Sequence, residues 1–394
     1  MDPLSRRDLL RRGLTAGAAI APFGIVRSAS AVADAELRAF VRARMRAAKA
    51  PGVAVAVVRG DEIVWSTGEG WADRRRGIRV SPRTVFMLAS VSKTVSCAGI
   101  MALVEDGVLD LDADIDDHLP FEVRIPARPH RPITLRQLLV HTSAIRDRWD
   151  VWGAIGQPGS LYFHGDSPIA LGDFMASYYL PGGAEYEHGN FFGRAPGRRY
   201  AYSNLAVALA GYVAEAASGV DFGELCRTRI LQPLRMRDSG FRLADIGTDD
   251  LAMPYRYDRA RDRFEAFYQY GYPDYPDGAL RASAVHLARW LGAFMQGGEF
   301  RGHRVLDPST VHEIRRNQIP DLVPWHQGLI WYGERSPGGF RMLGHTGGDY
   351  GVSTRMFFRP DRGVGVVTLT NAYLPGRRWT SFTEIETRMF REFS

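Results

Sequence analysis

Apolar and polar positions change period twice along this chain. Residues 35–48 contain few breakers and predict a helix. Residues 53–58 are a run of Val and Ala, followed by Gly60-Asp61 and then by Glu62-Ile63-Val64-Trp65-Ser66. Two β-type runs across a tight glycine-containing turn predict a hairpin. From about residue 84 to residue 298 helical patterns dominate, broken by long irregular loops. Val91, Val95, Ala98 and Ala102 line one helix face, and that helix is expected to stop near Gly107. Residues 205–217, rich in Ala, Val and Leu, predict a second helix. Strand patterns return at 340–343, 351–358 and 363–370, with Pro360-Asp361-Arg362-Gly363 turning the last pair. A final helix is expected over about 381–390.

β structure thus sits at both ends and helices in the middle. Strands joined by hairpins pair antiparallel. The expected fold is α/β (α+β). One antiparallel sheet is built from both chain ends and covered by the first and last helices, beside a mostly helical middle subdomain. The division reads 1–33 as an export signal, 34–83 with 300–394 as the sheet subdomain, and 84–299 as the helical subdomain. A cleft at their junction is the expected site. No fixed-period repeat is present.

The N-terminus reads as an address. Ser5-Arg6-Arg7-Asp8-Leu9-Leu10 is a twin-arginine pattern, and a mostly apolar stretch over 13–26 follows. Ala29-Ser30-Ala31 and Ala31-Val32-Ala33 are two small-x-small cleavage options, so the mature chain is expected to begin near Val32 or Asp34. Pro22 interrupts the apolar stretch, which is short for a bilayer span. No later segment has 18 uninterrupted apolar residues, so no stable membrane anchor is expected once the signal is removed. The expected location is periplasmic or extracellular.

Composition narrows the class. Of 394 residues, 45% are hydrophobic and 24% charged, which excludes a disordered tail protein, a collagen and a coiled coil. Two cysteines, Cys97 and Cys226, are too few for a disulfide scaffold. Half of the net charge of +6 falls in residues 1–33, leaving too little to hold nucleic acid. The 50 basic residues include only two lysines, Lys49 and Lys93. An amine can lose its proton and a guanidinium cannot, so each lysine bears inspection in an arginine-rich chain.

Three short motifs carry candidate chemistry. In Ser90-Val91-Ser92-Lys93, helical spacing sets a serine hydroxyl beside an amine. Lys49 has no such serine. Tyr202-Ser203-Asn204 lies in a loop after Pro196-Gly197, just before a helix. A tyrosine can relay a proton and an asparagine amide can hold a carbonyl. The bland alternative is a buried tyrosine and a capping asparagine. His345-Thr346-Gly347-Gly348 follows the strand over 340–343, where small residues let a ligand approach the backbone. An amide there is positioned to share an oxyanion with the Ser90 amide. The bland alternative is a glycine turn between strands.

Tyr202 follows Ser90 by 112 residues and His345 follows Tyr202 by 143. In that order the three motifs resemble the serine β-lactamase and penicillin-binding-protein superfamily, in its branch of class C β-lactamases, D-aminopeptidases and esterases. The framing residues agree: Met87-Leu88-Ala89 before Ser90, residues 133–143, and residues 196–204. The resemblance implies a serine hydrolase that works through an acyl-enzyme on ester, amide or D-peptide bonds, without cofactor or metal. It implies Ser90 as nucleophile, and Lys93 and Tyr202 as base and proton relay, in an order left open. Asn204 would contact the acyl part, and the amides of Ser90 and Gly348 would hold the oxyanion. His345, Thr346 and Gly347 would bind substrate. The chain departs from the pattern at His345, where β-lactamases usually have lysine, and at Ala144, where relatives often have glycine. A mostly neutral histidine favours esters, amides or D-peptides over β-lactams.

His141 reads as a structural histidine in a turn, and Cys97 as a small buried residue. The ten histidines show no metal spacing. Trp149, Trp152, Tyr162 and Phe163 are either an acyl-binding wall or their loop's own packing, and Tyr268, Tyr270, Tyr272 and Tyr275 pose the same question. The expected partner is a small-molecule or peptide substrate. Two further readings are an acyltransferase or cyclase on the same acyl-enzyme, and a sensor that acylates and stops.

Overall fold

The computed structural model describes residues 29–247 and 249–394. The arginine pair and the apolar stretch of the expected export signal lie outside them. The chain divides into a short N-terminal unit ending at Leu37 and a large unit, Arg38–Ser394. The first helix, α1 (Ala29–Ala47), includes both small-residue cleavage options.

The sheet has seven strands. In chain order these are β1 (Gly52–Arg59), β2 (Glu62–Asp73), β3 (Ile78–Arg79), β4 (Tyr332–Arg335), β5 (Arg341–Asp349), β6 (Val352–Arg359) and β7 (Val364–Thr370). Their spatial order is β4-β5-β6-β7-β1-β2-β3, and every pairing is antiparallel. The N-terminal hairpin therefore joins the C-terminal meander through β1 and β7, as the blocks of β pattern predict. β1, β6 and β7 are buried nearly throughout. Strands covered on both faces read as continuous apolar runs, which explains the unbroken Val and Ala of β1.

The covering helices differ in part from expectation. α4 (Ala284–Met295), inside the stretch read as helical subdomain, packs against β1 and β7. The fit is close: a Cβ on Gly365 would stand 2.6 Å from Leu291 Cδ2 and 2.9 Å from Met295 Sδ, so a larger residue there would make those side chains shift. α5 (Arg377–Phe393) packs on β7, and its fully buried Glu386 binds Arg355 of β6 in two hydrogen bonds of 2.9 and 3.0 Å.

α2 (Ser92–Glu105) is buried on all sides from Ser92 to Leu103. α3 (Asn204–Ser218) packs against it. A helix apolar all round is a core helix. The middle region also contains short strand pairs that the helical reading omits, such as Val85–Met87 with Arg281–Ser283. These strands are two to four residues long, too short for a period to show.

Candidate active site

Ser90 sits in a 3-10 turn, Ala89–Val91, that leads into α2. Ala89 has φ of +48°, a region that disfavours side chains, so the turn is held by its surroundings. Residues i and i+3 share one face where the turn runs into the α-helix. Lys93 Nζ accordingly lies 3.0 Å from Ser90 Oγ.

Lys93 is fully buried and spends its three hydrogens on Ser90 Oγ, Asn204 Oδ1 (2.6 Å) and the main-chain oxygen of Asp277 (2.7 Å). Burial is the strongest single influence and favours the neutral amine. The combined pull of Tyr202, Asp277 and Asp147 outweighs it and leaves the pKa above the ordinary lysine value. The side chain is therefore an ammonium at neutral pH.

Asn204 opens α3, and the cap of that helix is Ser203, whose hydroxyl accepts from Ala206 N. The capping role weighed for Asn204 thus falls to its neighbour. Asp147 fixes both residues: it accepts from Ser203 Oγ at 2.6 Å and from the amides of Asn204 and Leu205. Asn204 is left with its side chain pointing at Lys93. The Tyr202 ring packs against His141, 4.3 Å between centroids, and under the Lys93 ammonium at 5.3 Å. His141 is buried at φ of +57° and takes the Ser203 amide on Nδ1. Burial, then Lys93 and His345, hold its pKa far below the ordinary value. It is a neutral turn histidine, and it also forms one wall for Tyr202.

His345-Thr346-Gly347-Gly348 lies within β5 rather than after it, and the turn comes later at Tyr350-Gly351. The two glycines weaken the strand pattern locally, which hid its extent. A Cβ on Gly347 would stand 2.4 Å from Leu88 O and 3.1 Å from Ser90 N, so glycine here lets β5 run against the Ser90 turn. His345 is buried, with Nδ1 2.6 Å from Thr346 O. Burial first, then the Lys93 charge, lower its pKa to about 3. It is neutral near pH 7, as the reading from sequence expects. Thr346 Oγ1 lies 2.9 Å from the Tyr332 hydroxyl on β4.

Two hollows meet at Ser90 and Gly348. A groove of about 650 Å³ is lined by Tyr202, His345, Thr346, Gly347 and Trp325. A cavity of about 60 Å³ is lined by Asn204, Trp152, Tyr162, Tyr272 and three aspartates, Asp274, Asp277 and Asp349. All eight candidate residues are thus gathered at one place, Lys93 beneath it. A family model described as Beta-lactamase matches residues 37–381, which include all of them. The chain belongs to the beta-lactamase family.

Among relatives in the beta-lactamase family, residues of this chain are 34% identical over 224 positions to Esterase EstB of Burkholderia gladioli, covering 56% of this chain and 54% of the esterase. They are 30% identical over 222 positions to the D-aminopeptidase of Gluconobacter oxydans, 56% of this chain and 37% of that one. The matches thus span about half or less of those two relatives. The penicillin-binding protein structure from Bacillus halodurans superposes with a TM-score of 0.70 at 22% identity, over 88% of this chain and 98% of its own, which shows the shared fold.

Cys97 is buried and burial raises its thiol pKa far above the ordinary value, so it is packing. Trp149, Trp152 and Tyr162 line the cavity, whereas Phe163 pairs in a two-residue strand with Gly271. Of the four later tyrosines, only Tyr272 lines the cavity. Among the described residues no group of three or more His, Cys, Asp or Glu is placed to hold a metal ion. Reading the sequence missed Asp147 and the three cavity aspartates. Asp147 lies four places beyond the 133–143 segment, and Asp274 and Asp277 sit in a Tyr-Pro-rich loop; neither stretch carries a motif that marks them.

Proposed function

We propose that this protein is a serine hydrolase that opens ester, amide or D-peptide bonds through an acyl-enzyme on Ser90. The observation that carries the reading is Lys93, whose three hydrogens are all committed, one of them to Ser90 Oγ. As an ammonium with no free lone pair it cannot accept the serine proton. Tyr202, which shares the groove with Ser90 and whose ring lies 5.3 Å from Lys93 Nζ, is then the base.

In the first half-reaction Ser90 Oγ attacks the substrate carbonyl and its proton passes to the Tyr202 oxygen. The amides of Ser90 and Gly348 hold the oxyanion. Tyr202 then gives its proton to the leaving oxygen or nitrogen, and the acyl group stays on Ser90. Water repeats the sequence in reverse and frees the acid. Neutral His345 offers no fixed cation to a substrate carboxylate, which favours esters, amides and D-peptides over β-lactams.

Export through the twin-arginine-type leader to the periplasm or beyond, with a small-molecule or peptide substrate, completes the proposal. The test of the proton route is Tyr202→Phe beside Lys93→Arg on a 4-nitrophenyl ester. The reading expects Tyr202→Phe to lose about 10²–10⁴ in kcat/KM with its fold intact. Near-normal turnover by that variant would transfer the base role elsewhere.

A further inference from the structure

Tyr202 has little regular structure of its own to hold it. Residues 200–203 belong to neither helix nor strand, and Tyr202 is 38% exposed. A proton acceptor serves only where its oxygen stays within reach of the hydroxyl it relieves. A loop tyrosine in that role needs fixing from outside.

The buried His141 touches it from three directions. The His141 carbonyl oxygen accepts the Ala201 amide at 2.7 Å, and its Nδ1 accepts the Ser203 amide at 3.3 Å. Both residues that flank Tyr202 are thus pinned to one residue, which fixes how the Tyr202 side chain leaves the backbone. The imidazole then lies against the phenol ring, 4.3 Å between centroids and 37° between planes. The next residue ties the same loop further back, where Thr142 O accepts the Gly197 amide at 2.8 Å.

Histidine suits this place by its chemistry. A phenylalanine would supply the ring without the acceptor, and an asparagine the acceptor without the ring. Burial first, then the Lys93 and His345 groups, keep the imidazole neutral, so Nδ1 stays an acceptor. The residue is kept at a cost. Its φ of +57° disfavours a side chain. Nε2, which carries the proton when Nδ1 accepts, is buried without a hydrogen-bond partner among the described residues. Buried polar groups are ordinarily satisfied. A strained backbone and an unsatisfied donor together, beside a reactive group, mark function rather than packing.

We propose that His141 is a positioning residue for the reaction: it grips the backbone on both sides of Tyr202 and backs the Tyr202 ring, so that the phenolic oxygen is held toward Ser90. The inference rests on the reading of Tyr202 as the base.

The test is a double-mutant cycle on 4-nitrophenyl acetate. His141→Asn and His141→Phe are each made in the wild type and in Tyr202→Phe. Asparagine tolerates a left-handed backbone and keeps an acceptor; phenylalanine keeps the ring. In the wild type each is expected to lower kcat about 10–10²-fold with KM little changed. In Tyr202→Phe the ring at 202 is still present to pack against residue 141 and only the hydroxyl is missing. There the same substitutions should change kcat by less than about twofold. Equal factors in the two backgrounds, a change in KM alone, or wild-type kcat in both single variants would overturn the inference and leave the base reading standing. Near-normal turnover by Tyr202→Phe itself would overturn the base reading and the inference with it. Urea unfolding reports whether each variant is folded, and either His141 variant completes the cycle alone. Failure of both to fold would make His141 a residue of the fold and overturn the inference.

Discussion

Lys93 Nζ lies 2.6 Å from Asn204 Oδ1, so a side chain of α2 is held by the first residue of α3, 111 positions on. The contact fixes the amine opposite Ser90 and satisfies one of its three hydrogens. Asn204→Ala removes an acceptor from a buried ammonium, which costs about 1–3 kcal/mol. The unfolding midpoint in urea should fall accordingly, and kcat/KM for a neutral ester should fall with it. A variant as stable as the wild type would show that the ammonium finds another acceptor.

Gly347 is a second fixed point. A Cβ there would meet Leu88 O at 2.4 Å and Ser90 N at 3.1 Å, both backbone atoms. Gly347→Ala must therefore push β5 away from the Ser90 turn and open the oxyanion site. The expected result is a loss of about 10²-fold or more in kcat, the scale of a lost oxyanion donor, with folded secondary structure by circular dichroism. Unchanged kcat would place the oxyanion donors away from β5.

Much of this arrangement was legible in the sequence. The hairpin at 53–66 and the late strands gave the sheet because their apolar runs are long and their turns hold glycine. Ser90 and Lys93 are neighbours in sequence, so helical spacing alone brings them together. The extent of β5 was hidden because Gly347 and Gly348 carry no side chain to show a period. The placement of α4 on the sheet was hidden because its apolar face looks the same whether it meets helices or strands. The cavity aspartates were hidden because Asp274 and Asp277, in one loop, meet Asp349, at the end of β5, only in the fold.

His345 should leave a mark on acid stability. Its pKa is about 3 in the folded chain, against an ordinary 6.5. Above pH 6.5 both states are neutral, and its contribution is complete. As pH falls below that value the unfolded chain binds a proton that the folded chain refuses, so stability is lost at up to about 1.4 kcal/mol per pH unit. His345→Asn removes this component. Its stability should therefore fall less than that of the wild type between pH 6.5 and 3. Parallel curves in urea unfolding at several pH values would show that His345 titrates alike in both states.

The Arg355–Glu386 pair ties α5 to the sheet with both partners almost fully buried. Removing the Glu386 charge leaves Arg355 with Glu334 Oε1, at 3.0 Å, as its remaining carboxylate, so Glu386→Gln should destabilise by less than a wholly uncompensated charge would, about 1–3 kcal/mol. Arg355→Met with Glu386→Leu should regain most of that loss, because well-packed apolar residues avoid the desolvation cost. A double variant as unstable as the single one would mean that the pair orients α5 by more than its charge.

The central claim is that Ser90 forms the acyl-enzyme. The most direct measurement is intact-protein and peptide mass spectrometry after treatment with a fluorophosphonate probe, on the wild type and on Ser90→Ala. The account predicts one adduct, on the peptide containing Ser90, and none in the variant. An adduct on Ser143 or Ser203, or undiminished labelling of Ser90→Ala, would contradict it.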